Sequence, residues 1–174
     1  MLFRSTCALP ISQWAGLKFF NVFGPNEGHK GDMRSLVAKT ARRVASGETI
    51  PLFRSHRDGI AHGEQRRDFV SVKDCGAAVL WLLDHPEVSG LFNLGTGRAR
   101  SFNDLIRAVG AALGVDAHIA YVDMPGEIRG QYQYFTEARM GRLRAAGFER
   151  PFAALEDSVA DYVRSHLMAA DEYR

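Results

Sequence analysis

From Leu17 onward, short apolar runs suited to strands alternate with longer stretches whose apolar residues recur at helical spacing. This rhythm constrains the fold more than any single motif, because strand–helix alternation favours an α/β layer with parallel strand pairing. The predicted strands are 17–22 (LKFFNV), 49–53, 67–72 (RDFVSV), 90–97 (GLFNLGTG, a strand entering a glycine turn) and 117–122. The predicted helices are 33–47, with Met33, Leu36, Val37, Thr40, Ala41 and Val44 on one face; 73–85, burying Cys75, Ala78, Val79, Leu82 and Leu83; 102–114; 136–146, capped by Thr136; and 153–168. Ser101 with Asp104 reads as a capping box for the third of these. Residues 23–31, 54–66 and 123–135 read as loops.

Composition narrows the function classes. The 174 residues carry 22 basic and 20 acidic side chains, a formal net charge of +2, and no basic run interleaved with aromatics, which argues against a nucleic-acid partner. No apolar run approaches the roughly 18 residues of a membrane helix. Two cysteines, Cys7 and Cys75, do not make a disulfide scaffold, so a reducing cytoplasm is the expectation. The histidines show no ligand spacing, and no metal site is expected.

Residues 1–12 stand apart. MLFRSTCALPIS has no period, and its LFRS and ALPIS segments are what the nucleotide string CTCTTCCGATCT, a sequencing-adapter-like sequence, encodes in two frames. This leader is expected to be foreign to the fold, with the chain proper starting near Gln13 and an earlier part of the gene product missing. No G-x-G-x-x-G follows an early strand and no Y-x-x-x-K occurs anywhere; GTGRARS (95–101) reads as a plain strand-to-helix turn.

The stretch FFNVFGPNEGHKGDM (19–33) poses the functional question. It sets Asn21 into a core strand and follows it with a glycine-flanked Lys30, either a solvated loop lysine or one wall of an active site. In order, FNVFGP, EGHKG, RRDFV, NLGTGRARSF and GQYQYFTEA closely resemble the C-terminal half of the ADP-glycero-manno-heptose 6-epimerases, which are extended short-chain dehydrogenase/reductases, over about residues 15–170. The resemblance implies the last strands of a Rossmann sheet intermixed with a small α/β substrate-binding domain over 13–174. It also implies NADP (or NAD) as cofactor, an ADP-sugar as substrate, a homopentamer, and a role in the inner core of lipopolysaccharide.

It further implies roles for particular residues. Lys30 would be the second proton acceptor beside an upstream tyrosine, and would lie with Val22 against the nicotinamide. Asn21 would bond the sugar or diphosphate, and Arg67 the diphosphate. Phe53, Arg54, Ser55 and His56 would wrap the nucleotide, and Tyr132 would reach the ligand. Asp32 and Lys39 occupy substrate-contacting positions where relatives often carry serine and histidine, so these two depart from the pattern. With the tyrosine and glycine motifs absent, the 174 residues alone are expected not to turn over. Two other readings stay open: a different nucleotide-sugar 4-epimerase or 4,6-dehydratase, and a non-catalytic nucleotide-binding module. A bared sheet edge along strand 17–22 is expected to favour association.

Overall fold

A computed structural model describes residues 13–169; the leader expectation for residues 1–12 lies outside them. The class is α/β, as the alternation predicts, and three of the four strand pairings are parallel. In chain order the elements are β1 (Ala15–Phe19), β2 (Asn21–Phe23), a 3₁₀ segment (Gly28–Met33), α1 (Leu36–Ala45), β3 (Ile50–Phe53), β4 (Arg66–Arg67) and β5 (Phe69–Ser71). Then follow α2 (Val72–Asp84), β6 (Gly90–Leu94), β7 (Arg100–Ser101), α3 (Phe102–Leu113), β8 (Ile119–Val122), α4 (Gly126–Arg129), α5 (Gly141–Ala145), α6 (Leu155–Tyr162) and a π-helical turn (Val163–Leu167).

β1 pairs with β6, β2 with β5 and β3 with β8, all parallel; β4 and β7 are antiparallel. The first predicted strand is therefore two strands. At Phe20 the chain changes partners: the Phe20 amide donates to Leu94 O at 3.0 Å and the Asn21 amide to Asp68 O at 3.0 Å, while Val22 N bonds back to Phe20 O at 2.9 Å. That kink ends the pairing with β6 and begins the pairing with β5.

Two apolar clusters form. Val37, Ala41, Val44, Ile50, Leu105, Ile106, Val109 and Val159 join α1, α3, α6 and β3; Val70, Cys75, Ala78, Leu82, Phe92, Leu94 and Phe148 join α2 to β5 and β6. The capping box of Ser101 with Asp104 forms as predicted, and Ser35 and Ser71, which are not predicted as caps, also each accept a backbone N–H at a helix start. Asp68 is fully buried and accepts four bonds, from Thr96 N and Oγ1, Gly97 N and Ala138 N, at 2.6–3.0 Å. It thereby fastens the Gly95–Gly97 turn as structure.

Several boundaries differ from expectation. The first helix starts at Leu36 behind Ser35, so Met33 falls in the 3₁₀ segment and is 85% exposed rather than inward. Val79 and Leu83 are exposed, because α2 is apolar on both sides and packs only its Cys75–Ala78–Leu82 face. Thr136 caps no helix; its amide bonds to Arg66 O in an extended segment, and the local helix is only Gly141–Ala145. The 123–135 loop contains α4, and the final helix changes to π geometry after Tyr162.

Candidate active site

β2, the 3₁₀ segment and the start of α1 surround a cavity of about 260 Å³. Asn21 and Val22 line it from β2 and Lys30 from the 3₁₀ segment, while Leu36 and Phe102 form part of the opposite wall. Lys30 keeps a partly exposed side chain, its ammonium 3.6 Å from Glu27 Oε1. Glu27 is the fixed point: it is 5% exposed, accepts from Ser35 N at 3.2 Å, from Ser35 Oγ at 2.5 Å and from Tyr162 OH at 3.2 Å. Buried polar oxygens need hydrogen-bond partners, and here those partners tie the Lys30 turn to α1 and α6 at once.

Leu36 and Phe102 are shared with a second, mostly apolar cavity of about 330 Å³, lined also by Lys39, Phe53, Gln65 and Tyr132. Gln65 is buried and its side-chain amide donates to Phe53 O at 3.1 Å, which holds the end of β3 against this wall. The ring of Phe53 meets Tyr132 edge-on at 6.1 Å. Tyr132 also borders a third, open concavity together with Arg67, Ile128, Gln131 and Gln133. The three spaces thus adjoin through Leu36, Phe102 and Tyr132, with Lys30 at one end and Arg67 at the other.

Arg67 is 9% exposed, its guanidinium carbon 5.3 Å from the Tyr132 ring centre and 5.7 Å from that of Phe102. Its Nη1 donates to Arg66 O at 2.9 Å, and among the described residues no carboxylate pairs with it. Burial pulls the guanidinium below its ordinary value, with Tyr132 acting in the opposite sense; burial likewise raises the Tyr132 phenol. A desolvated cation with donors to spare is poised for an anion, and its planar fork suits phosphate.

Of the residues singled out from the sequence, Asn21, Val22 and Lys30 share the first cavity, Lys39, Phe53 and Tyr132 the second, and Arg67 and Tyr132 the third. Arg54, Ser55 and His56 line none of these. Arg54 Nε donates to Tyr121 O and its guanidinium faces Asp123 at 3.8 Å, Ser55 bonds within its own loop, and His56 N donates to Tyr134 OH. Asp32 is exposed and outside the cavity walls. Glu27, Gln65 and Phe102 escaped the sequence reading. Glu27 and Gln65 look like loop polars, and Phe102 like an ordinary first-turn apolar residue of α3.

Comparison with known proteins gives this geometry a context. The chain is 52% identical, over 159 residues, to the ADP-L-glycero-D-manno-heptose-6-epimerase of Nitratidesulfovibrio vulgaris strain Hildenborough, covering 91% of this chain and 49% of that protein. Among solved structures it superposes on the Helicobacter pylori ADP-L-glycero-D-manno-heptose-6-epimerase with a TM-score of 0.71 at 28% identity, over 88% of this chain and 44% of that one. It is also similar to the Thermus thermophilus UDP-glucose 4-epimerase solved with NAD, with a TM-score of 0.68 at 26% identity, over 91% and 47% of the two chains. The chain spans about half the length of the curated relatives it matches. The family model described as the NAD dependent epimerase/dehydratase family matches residues 7–95, just over half of the sequence, and the chain belongs to that family.

Proposed function

We propose that these residues form the sugar-nucleotide half of an enzyme that interconverts ADP-D-glycero- and ADP-L-glycero-D-manno-heptose at C6 by NADP-dependent oxidation and reduction. The observation that carries the reading is the run of adjoining cavities with Lys30 at one end and Arg67 at the other. In it, Arg67 takes the diphosphate of the ADP end, and Phe53 and Tyr132 offer aromatic walls to the nucleotide. Asn21 bonds the sugar or diphosphate, and Lys30 stands where a proton leaves or joins the C6 oxygen. Lys39 lines the wall beside Phe53 and Tyr132 and adds positive charge near the phosphates. Arg54, Ser55 and His56 act as the outer rim of the nucleotide site and Asp32 as an outer residue of the Lys30 segment, since none of them lines these cavities.

Val22, half-buried beside Asn21 and Lys30, offers the apolar contact a nicotinamide ring needs, and Val22 and Lys30 are the residues of this chain that would face it. NADP (or NAD) held there beside Val22 and Lys30 would supply the hydride chemistry, removal from the sugar carbon and return to its other face. The 174 residues contain neither a Y-x-x-x-K pair nor a glycine-rich dinucleotide turn. The tyrosine acceptor that would partner Lys30, and a glycine-rich site for the cofactor's phosphates, are therefore not supplied by these residues, and no turnover is expected from them alone. The same reading implies work in the cytoplasm, in a homopentamer, supplying heptose for the lipopolysaccharide inner core. Among the described residues no helix is long and apolar enough to cross a membrane.

Titration calorimetry with ADP, ADP-mannose, UDP and UDP-glucose tests the reading. Adenine nucleotides are expected to bind and uridine nucleotides to bind at least tenfold more weakly. Equal affinity for all four, or binding unchanged in Arg67→Ala, would overturn it.

A further inference from the structure

Two of the contacts that fasten the loop between β3 and β4 centre on Asn103 and His62. Asn103, buried at the start of α3, is the first. Its Nδ2 donates to His62 O at 3.0 Å and to the Glu64 carboxylate at 2.7 Å; its backbone amide donates to Gly63 O at 3.1 Å; its Oδ1 accepts from Tyr121 OH at 3.2 Å. Gly63 sits at φ +74°, and a Cβ there would lie 2.1 Å from Asn103 Oδ1, so only glycine lets the loop approach its anchor.

The second fastening is His62. The backbone amide of Ser55 points at His62 Nδ1, 3.1 Å away. An amide can only donate, so Nδ1 must carry a lone pair and the imidazole is neutral, with its proton on Nε2. Protonation would place N–H against N–H and remove the bond. From Ser55 the path to the ligand cavities is short. His56 N donates to Tyr134 OH at 3.0 Å, the Tyr134 ring meets Tyr132 edge-on at 5.5 Å, and Tyr132 lies beside the Arg67 guanidinium.

We infer that His62 is a positioning residue for the nucleotide site: its neutral ring latches Ser55 and, through His56 and Tyr134, holds Tyr132 in place, and acid opens the latch. The nucleotide part of this rests on the function proposed above. The ring is exposed, so solvent protons reach it directly. β8 presents Tyr121 to it, with ring centres 5.6 Å apart, and α3 presents the uncharged Asn103. Its own loop contributes Arg54, His56, Arg57, Asp58 and Glu64; Arg57 lies over the Tyr134 ring and Glu64 is spent on Asn103. Among the described residues no carboxylate pairs with the imidazole, so its protonation is not compensated locally. With Glu64 bonded to Asn103, Asp58 is the other loop carboxylate that could blunt the response, and Asp58→Asn controls for it.

The test has two arms on the 174-residue chain. Amide exchange at Ser55, expressed as a protection factor and so corrected for intrinsic pH dependence, is read at pH 7.5 and 5.5 without nucleotide. ADP affinity is read at the same two pH values. The wild type is expected to lose Ser55 protection and roughly threefold to tenfold in ADP affinity at pH 5.5, the weight of one hydrogen bond. His62→Asn keeps an acceptor near Nδ1 that cannot be protonated; it is expected to hold both quantities, apart from the titration of ADP itself, which is common to both proteins. His62→Ala is expected to show the acid behaviour at both pH values. Ser55 protection that ignores pH, or that survives His62→Ala, overturns the latch. A latch that titrates while ADP affinity relative to His62→Asn stays constant overturns its role in binding. Absence of ADP binding in every protein overturns the nucleotide reading instead, and the exchange arm still decides the latch.

Discussion

The Tyr162 hydroxyl donates to the Glu27 carboxylate at 3.2 Å, joining the last α-helix to the turn that carries Lys30 across 135 residues of chain. The same carboxylate holds the N-cap of α1 and faces the Lys30 ammonium. Tyr162→Phe removes one neutral donor and is expected to cost about 1 kcal/mol. Glu27→Ala removes the carboxylate that accepts from both Ser35 donors and from the Tyr162 hydroxyl and is expected to cost at least twice that. Urea denaturation followed by circular dichroism checks both, with an unchanged m-value confirming a pure stability effect.

Asp68 is the anchor of the Gly95–Gly97 turn, and Gly95 approaches it so closely that a Cβ would lie 2.6 Å from its carboxylate. Asp68→Ala leaves the Thr96, Gly97 and Ala138 amides without their carboxylate acceptor. A loss of about 3 kcal/mol or more is expected, against a much smaller one for the nearly isosteric Asp68→Asn. Thermal melts of the two variants side by side separate charge and hydrogen bonding from shape.

Arg67 tests the nucleotide end. Arg67→Ala is expected to weaken ADP about tenfold to a hundredfold, the weight of a charge-assisted hydrogen bond or two. Arg67→Lys should recover only part of this, because an ammonium keeps the charge but lacks the planar fork. Calorimetry at two salt concentrations reads both affinity and the ionic share of it.

Arg100 bridges Asp104 at 3.1 Å and Glu156 at 2.7 Å, tying the start of α3 to α6. Burial pulls the Asp104 carboxyl upward, but the bonds from Arg100 and Ser101 outweigh it and leave it below its ordinary value. The Glu156 carboxyl is lowered chiefly by its hydrogen bond from Arg100. Both groups release their protons more readily in the folded chain than in the unfolded one. Their stabilisation is therefore present above the ordinary carboxylate range near pH 4 and drains away as pH falls through the lowered folded values. Arg100→Ala is expected to flatten the acid limb of the stability–pH curve and to change stability at pH 7 only slightly, since these groups are largely solvent-screened.

Cys75 is buried in the cluster under α2, and burial, with the neighbouring Asp74 charge adding to it, pushes its thiol up to about 12. Disulfide reagents at pH 8 are expected to leave it unmodified until denaturant is added; rapid labelling of this thiol in the native chain would contradict the packing.

The legible part of this molecule is the part carried by short-range pattern. Ser101 and Asp104 announce α3 because both halves of the cap lie within one turn. Leu83 misled because residues 79–83 are all apolar, and a helix apolar all round does not say which side is covered. Thr136 misled because a threonine before a mixed run looks like a cap, whereas a bond to Arg66, 70 positions earlier, keeps it extended. Lys30 stood out as a charge after a core strand, and Arg67 only through the family resemblance of RRDFV. Glu27 and Phe102 did not, since their importance comes from residues far along the chain.

Phe20 and Asn21 show what the partner change in the first strand accomplishes. Two neighbouring amides answer to two different strands, one before the kink and one after it. A slip of either pairing by one residue would pull the other out of step, so each strand proofreads the alignment of its neighbour. The outward turn of Asn21, and with it the distance from β2 to the Lys30 turn, is thus doubly indexed before any ligand arrives.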